Sequence, residues 1–547
     1  MYGTIDYVLS FFKLFAGLGA FLIGFKLLSE NIEKLAANKL RGWFDKTSKS
    51  RLAGVGIGTV TTALVQSSAT TTVMVVGFVN VGIMSLYQAT AIIMGANIGT
   101  TITAQIAAFR AFDIMPYVAF FSCAGIFVNM LCKNERVKTV GLLIAGFGLI
   151  FLGLDYMSNA VSFYKEVPQI QQFLSEIDNA FLLLFVGIIF TAIVQSSSVI
   201  TSLVIVMVGA GLTIGTGNND VLFLILGSNI GSCVTAILSS LGANTNAKRA
   251  SFIHLLFNVS GTVVFMIVLL CWKDFMQMTF MRWFAKPETQ VAMFHTFFNV
   301  VCTCLFLPFV KVFVKVATTV IRDKKEDVPV NAERALLDER FIKTPSVAIA
   351  QANREAAHMA SLAMQSMQTA FDGFVAGDVA AKDQVDTLNA HIAEMEKNIV
   401  SYLIKISASD LSLNDERLIS SIHHATSDII RISELADNIT KYTRNCKKEG
   451  IEFSQGVIKS LKEMYDKIYT LYQKTLDVFD KKDITAIKAV DAVEDTVDAA
   501  RKEMVKDHIR RLNEGKCKPE SSGIFINLVG NLERAADHLT YVAHAFD

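Results

Sequence analysis

Two short polar runs inside apolar sequence carry the side chains best suited to chemistry. Val65-Gln66-Ser67-Ser68 and Val194-Gln195-Ser196-Ser197 repeat one tetrapeptide, and their flanks agree, Thr62-Ala63-Leu64 against Thr191-Ala192-Ile193. Gln amides and Ser or Thr hydroxyls both donate and accept hydrogen bonds, so a cluster of them can hold an anion through its donors and a hard cation through its oxygens. In hydrocarbon such groups are costly unless they line a polar cavity or bind something. The candidate binding residues are therefore Gln66, Ser67, Ser68 and Thr70 in the first run, and Gln195, Ser196, Ser197, Ser198 and Thr201 in the second. A second motif pair, Gly95-Ala96-Asn97-Ile98-Gly99-Thr100 and Gly227-Ser228-Asn229-Ile230-Gly231-Ser232, adds Asn97, Thr100, Thr101, Asn229 and Ser232. Glycine permits close approach and Asn tolerates unusual backbone angles, so both motifs are expected to break their helices beside the site.

The elements that position these residues are themselves duplicated. Gly17, Gly19, Gly24 and Ser29 recur at Gly146, Gly148, Gly153 and Ser158, an offset of 129 that Gln66 and Gln195 share. The Asn motifs stand 132 apart, which places a three-residue gain in the Gly/Asn-rich loop at Gly215–Asp220. One register held through three motifs marks a repeated membrane unit.

Composition divides the chain. It is 52% hydrophobic with a formal net charge of +1, but residues 1–321 hold 20 Lys/Arg against 13 Asp/Glu, and the remainder holds 31 against 37. The first part carries apolar segments of about 20 residues, the length that crosses a bilayer. The second is acidic and helical. Met1–Ser10 lacks the basic start and cleavage site of a signal peptide, so the first apolar segment is expected to stay as a membrane helix.

Charge sets the orientation. Glu30–Arg51 carries Lys34, Lys39, Arg41, Lys46, Lys49 and Arg51 against three acids, whereas the equivalent loop near 159–180 is acidic. Cytoplasmic loops favour Lys and Arg, so the two loops lie on opposite sides and the repeat is inverted. Four apolar segments (52–80, 86–108, 114–132 and 139–161) separate them, so one must enter and leave by the same face. Segment 52–80 fits a helical hairpin with Gln-Ser-Ser near its tip, and 181–210 fits the opposing one. Their tips are expected to meet near the midplane. A last crossing at 290–320 then delivers the acidic domain to the cytoplasm.

Other polar residues have plainer roles. Arg110 lies at a segment end, and Lys26 and Asp155 read as snorkelling or structural charges. His254 with Asn258, and His295 with Asn299, share four-residue spacing and read as interhelical clamps. The eight cysteines form no metal-type pair and read as small core residues. No catalytic constellation is present, so no enzyme activity is expected, and no nucleic-acid partner.

As a set, the paired Gln-Ser-Ser runs, both Gly-x-Asn-Ile-Gly motifs and the His-x-x-Phe-Asn-type segments resemble the type II sodium-dependent phosphate cotransporter family in its bacterial form. The resemblance covers residues 10–320. It implies uptake of inorganic phosphate driven by a sodium gradient, with both Gln-Ser-Ser regions forming one shared site. The first copy departs from the fuller pattern, with Ala69 where the second has Ser198.

The C-terminal part is duplicated too, at an offset of 100. Ser433-Glu434-Leu435-Ala436-Asp437-Asn438-Ile439 matches Glu533-Arg534-Ala535-Ala536-Asp537-His538-Leu539. Helical periodicity with breaks near Gly377, Asn414, Gly450, Asp483 and Ser521 predicts three long helices per copy. This part resembles a PhoU domain, a double three-helix bundle associated with phosphate regulation. Such domains can carry a divalent or iron-type metal at Glu-x-x-x-Asp motifs, here Glu533 and Asp537.

The expected fold is therefore all-α: a polytopic membrane protein of two inverted repeats with re-entrant helical hairpins, plus a cytoplasmic PhoU-like domain. The expected divisions are 1–135, first repeat; 136–321, second repeat with the final crossing; 322–344, linker; and 345–547, PhoU-like domain. The expected setting is the bacterial inner membrane, with phosphate, sodium and the lipid bilayer as partners. The cytoplasmic domain is a candidate surface for a regulatory protein or a second copy. The alternatives are a transporter of the same build for another oxyanion, a phosphate exporter, or a membrane-anchored phosphate-signalling protein.

Overall fold

A computed structural model describes residues 4–322 and 337–546, apart from 46–49, 81, 83, 112–114, 178, 217, 242, 338, 344, 410, 412, 482–485 and 518. Most of the predicted linker 322–344, the loop lysines Lys46 and Lys49, and the break at Asp483 lie outside the described residues. The chain forms two units, Met1–Val330 and Asn331–Asp547, and the described residues contain helices but no strand.

In the first unit the helices are α1 (Thr4–Asp45), α2 (Arg51–Val65), α3 (Ser68–Asn80), α4 (Leu86–Ala108), α5 (Met115–Leu131), α6 (Glu135–Lys165) and α7 (Pro168–Ser175). They continue as α8 (Ala180–Val194), α9 (Ser197–Gly209), α10 (Asp220–Ser240), α11 (Thr245–Cys271), the single turns α12 (Phe275–Met278) and α13 (Phe280–Trp283), α14 (Pro287–Phe306) and α15 (Val310–Val320). Among the described residues, six stretches are long and apolar enough to cross a membrane: Ile5–Ile32, Leu86–Ala108, Glu135–Lys165, Asp220–Ser240, Thr245–Cys271 and Pro287–Val320. Large apolar side chains such as Ile5, Phe12, Leu131 and Ile193 point outward, the distribution expected of a surface solvated by lipid.

Both expected hairpins are broken helix pairs. The break between α2 and α3 falls at Gln66, and that between α8 and α9 at Gln195. Two expectations differ from the structure. The Gly-x-Asn-Ile-Gly motifs do not interrupt their helices, because α4 and α10 run straight through them. Their glycines serve close packing instead: a side chain at Gly99 would come within 2.7 Å of the Thr62 Cβ, and one at Gly231 within 2.7 Å of the Thr191 Cβ. The basic stretch after residue 30 is likewise not a loop up to Arg51, since α1 continues to Asp45 through good helix formers such as Lys34, Leu35 and Ala37.

Helices α1 and α6, which carry equivalent glycines, pack on each other. A side chain at Gly17 would lie 2.8 Å from the Gly153 carbonyl oxygen, and one at Gly153 would lie 2.6 Å from that of Gly17. Gly24 and Gly146 stand in the same reciprocal relation, at 2.8 Å each way. The pairing runs antiparallel and exchanges the repeat equivalents. The hairpins exchange partners as well, α3 packing on α10 and α9 on α4.

The second unit holds α16 (Pro345–Ala376), α17 (Ala381–Ser407), α18 (Leu413–Glu449), α19 (Gln455–Lys481), α20 (Ile487–Asn513) and α21 (Pro519–His544), three helices per copy as predicted. Gly377 and Gly450 end α16 and α18 with φ of 67° and 62°, the left-handed cap that glycine adopts without penalty. The break expected at Ser521 lies earlier. Gly515 (φ 67°) closes α20 and Pro519 opens α21, which leaves Ser521 inside a helix. Asn414, too, sits just inside α18.

Candidate functional site

Gln66 and Gln195 are the two non-glycine residues with positive φ among the described residues, at 55° and 58°. An L-residue pays roughly 1–2 kcal/mol to sit in that region, and strain of this kind concentrates where a ligand is handled. The following serine restarts the helix in each copy. Ser67 Oγ accepts from the Thr70 amide at 3.1 Å, and Ser196 Oγ accepts from the Val199 amide at 3.4 Å. A left-handed Gln followed by a capping Ser is thus the local device that turns one apolar run into two half-helices. The first-turn amides of Ser68 and Ala69, and of Ser197 and Ser198, have no acceptor within their helices. Both tips therefore present N–H groups at the positive end of a helix dipole, suited to an anion.

The remaining candidates take several positions. Thr70 Oγ1 donates to Ser67 Oγ at 2.9 Å, and Ser68 and Ser197 are buried. Thr201 is buried with its hydroxyl 3.4 Å from that of Ser228 on α10. Asn97, Thr100 and Thr101 are buried on α4 and donate to its own carbonyls, those of Ile93, Ala96 and Ile98. On α10, Ser232 donates to the Asn229 carbonyl at 2.7 Å, and the Asn229 Oδ1 lies 3.2 Å from His295 Nε2 on α14. Ser198 is half-buried and Gln195 is exposed. The expected meeting of the two tips is not made through direct hydrogen bonds among the described residues; α4 and α10 stand as their shared neighbours.

Three positions outside the motifs complete the site. Thr103 Oγ1 donates to Gln66 Oε1 at 3.0 Å, and Ser29 Oγ donates to the Val65 carbonyl at 2.6 Å, so α4 and α1 both hold the first break. Their equivalents at offsets of 132 and 129 are Thr235 and Ser158, whose hydroxyls are buried without a partner. Gln105 Nε2 reaches Thr296 Oγ1 on α14 at 2.8 Å. Retention of Thr at 103 and 235 was the sequence signal for the first of these. Of the two expected His/Asn clamps, His295 does bridge helices, while Asn258 and Asn299 bond back to the carbonyls of His254 and His295. The Oδ1 atoms of both Asn residues stay buried and unpartnered.

In the second unit, Glu533 and Asp537 lie beside Glu494 and Asp498 of α20. Burial first and neighbouring carboxylates next raise the proton affinity of Glu494, Glu533 and Asp537. Arg501 reaches Glu533 at 3.5 Å. No group of three or more His, Cys, Asp or Glu is arranged to hold a metal ion among the described residues. As placed, these carboxylates do not fit a metal centre.

Comparison with known proteins agrees with both halves of this description. The Na+/Pi-cotransporter family model matches residues 20–159 and 167–283, and the PhoU domain model matches 356–443 and 461–546. YjbB of Escherichia coli K12, whose name assigns it inorganic phosphate export, is 26% identical over 504 residues, covering 90% of this chain and 88% of its own. Human sodium-dependent phosphate transport protein 2B is 41% identical over 91 residues, 16% of this chain and 13% of that protein. A PhoU homologue of Thermotoga maritima is 25% identical over 176 residues, 32% of this chain and 72% of its own. The chain carries a Na+/Pi-cotransporter family domain within residues 20–283 and a C-terminal PhoU domain within 356–546.

Proposed function

We propose that this protein is a sodium-coupled secondary transporter that imports inorganic phosphate by alternating access, with its PhoU domain as a cytoplasmic regulator. One observation carries the reading. Two repeat-equivalent glutamines hold left-handed backbone at the tips of broken helices, each followed by a capping serine. Phosphate would be held by the first-turn amides and the side chains of Gln66, Ser67, Ser68, Gln195, Ser196 and Ser197. Hydroxyl and carbonyl oxygens nearby, including those of Thr70, Ser198, Thr201, Asn97, Thr100, Thr101, Asn229 and Ser232, would serve sodium. Among the described residues no Lys or Arg bonds to the tip side chains, which suits a carrier that brings its counter-charge along. The antiparallel, partner-exchanging contacts of α1 with α6 support an inverted repeat, and the basic stretch after residue 30 supports a cytoplasmic C-terminal domain in a bacterial inner membrane.

Export is the second reading, favoured by similarity to YjbB along 90% of the chain. Phosphate flux in proteoliposomes under imposed inward, outward and absent sodium gradients separates the readings. Uptake that follows inward sodium supports import. Flux unaffected by sodium would overturn the coupling, and efflux alone would favour export.

A further inference from the structure

The first bundle of the second unit holds a basic recess that the transport site does not use. It encloses about 460 Å³ where the start of α17 meets the end of α18, within the range of small-molecule sites. Its walls carry Lys382, Lys441, Arg444, Lys447 and Lys448, with Asp383 as the lining carboxylate. Lys382 bonds Asp386 at 2.6 Å and lies 3.3 Å from Asp437, which Lys441 approaches to 2.8 Å. Arg444, Lys447 and Lys448 have no carboxylate partner among the described residues. Five cations against Asp383, Asp386 and Asp437 leave a surplus of two positive charges.

Helix-end electrostatics explains only part of this. Lys447 and Lys448 sit in the last turn of α18, where cations complement the helix dipole. Lys441 and Arg444 precede that turn, and Lys382 comes from another helix. Spacing of three and four residues places 441, 444 and 448 on one face of α18. The duplicated bundle supplies an internal comparison: at an offset of 100, Lys441, Arg444 and Lys447 correspond to Tyr541, His544 and Asp547, while Thr440 keeps its counterpart in Thr540. Lys441, Arg444 and Lys447 therefore belong to the first copy and not to the architecture of a three-helix bundle, whereas Lys382 keeps a counterpart in Lys482.

We propose that this recess binds a soluble polyanion built of linked phosphates, held by charge-assisted hydrogen bonds from Arg444, Lys447 and Lys448. The Arg fork matches phosphate oxygens in pairs and the lysines act as point charges. A chain of phosphates can span all three cations, whereas a single oxyanion meets only one or two.

The test is calorimetric titration of the full-length protein in neutral-lipid nanodiscs with inorganic triphosphate, inorganic phosphate and sulfate. Triphosphate is expected to bind about tenfold or more tighter than either single oxyanion, and to weaken with added salt. The combined R444A, K447A and K448A variant, altered only at exposed positions, is expected to lose about tenfold or more of that affinity. The charge-keeping K447R/K448R variant should retain it. Absence of saturable triphosphate binding would overturn the proposal, as would equal affinity in the alanine variant or loss in the charge-keeping one. Loss of triphosphate binding on moving wild type into anionic-lipid nanodiscs would assign the recess to lipid headgroups, and so overturn a soluble ligand.

Discussion

The Thr103 hydroxyl donates to Gln66 Oε1 at 3.0 Å, while the hydroxyl of Thr235, its equivalent in the second repeat, is buried without a partner. Ser29 and Ser158 repeat the pattern, the first bonded to the Val65 carbonyl and the second unpartnered. Gln66 is half-buried and Gln195 exposed. The first break is thus latched by α4 and α1, and among the described residues the equivalent bonds at the second break are not made. A carrier that alternates between two faces needs such a difference between its halves, and the unpartnered hydroxyls of the second repeat are where a reciprocal latch would form.

The latch predicts a conformational shift. One neutral hydrogen bond contributes about 0.5–1.5 kcal/mol, so its loss changes a two-state ratio by up to about tenfold. Thr103→Val should speed thiol labelling of a Ser67→Cys reporter by that order, and Thr235→Val should leave the rate unchanged in the state described here. Equal responses to the two substitutions would count against the latch.

Backbone and side-chain roles of the tip glutamines separate by substitution. Gln66→Gly keeps a residue at ease with φ of 55°, whereas Gln66→Ala leaves a strained Cβ worth roughly 1–2 kcal/mol. Both variants should lose phosphate flux if the amide binds substrate, and Gly should melt higher than Ala. Full flux in the glycine variant would reduce Gln66 to a helix breaker.

Much of this site was legible in the sequence, and the reasons differ residue by residue. The breaks at Gln66 and Gln195 showed through because a duplicated polar tetrapeptide in apolar sequence has no packing rationale. Gly95–Thr100 misled, because the glycine that permits a break equally permits two helix backbones to touch, and only the Thr62 contact with Gly99 distinguishes them. The repeat marks Thr103 through its counterpart Thr235, but its bond to Gln66 depends on where α4 packs on the hairpin, which is non-local. In the second unit, Glu533 and Asp537 were visible as one helical turn, but their neighbours Glu494 and Asp498 arrive from another helix.

The α1–α6 crossing tolerates no side chains at its glycines. Gly24→Val would drive carbon into the Gly146 carbonyl, 2.8 Å from an added Cβ, and forced overpacking costs about 1–3 kcal/mol. The melting temperature of the detergent-purified protein should fall for Gly24→Val and Gly146→Val, and stay near wild type for Gly19→Val, where the added carbon meets nothing within 4 Å.

The acidic face of the second bundle predicts a pH response of definite sign. Burial, then the charge of Asp498, raises the Asp537 pKa against the opposing charges of His538, Arg501 and Arg534, so the folded state holds its proton more readily than the unfolded chain. Stability from this group is therefore lost as pH rises from the ordinary carboxylate range through the raised value. Asp537→Asn should melt higher than wild type at neutral pH, with the advantage shrinking in acid. A lower melting temperature at neutral pH would indicate that the carboxylate is needed, as a bound cation would require.

Radiolabelled phosphate flux through reconstituted wild type, Gln66→Ala and Gln195→Ala, each under a sodium gradient, tests the paired-tip site most directly. Sodium-dependent flux in wild type, with none in either variant at equal reconstituted amounts, is the predicted result. Wild-type rates in both variants would contradict it.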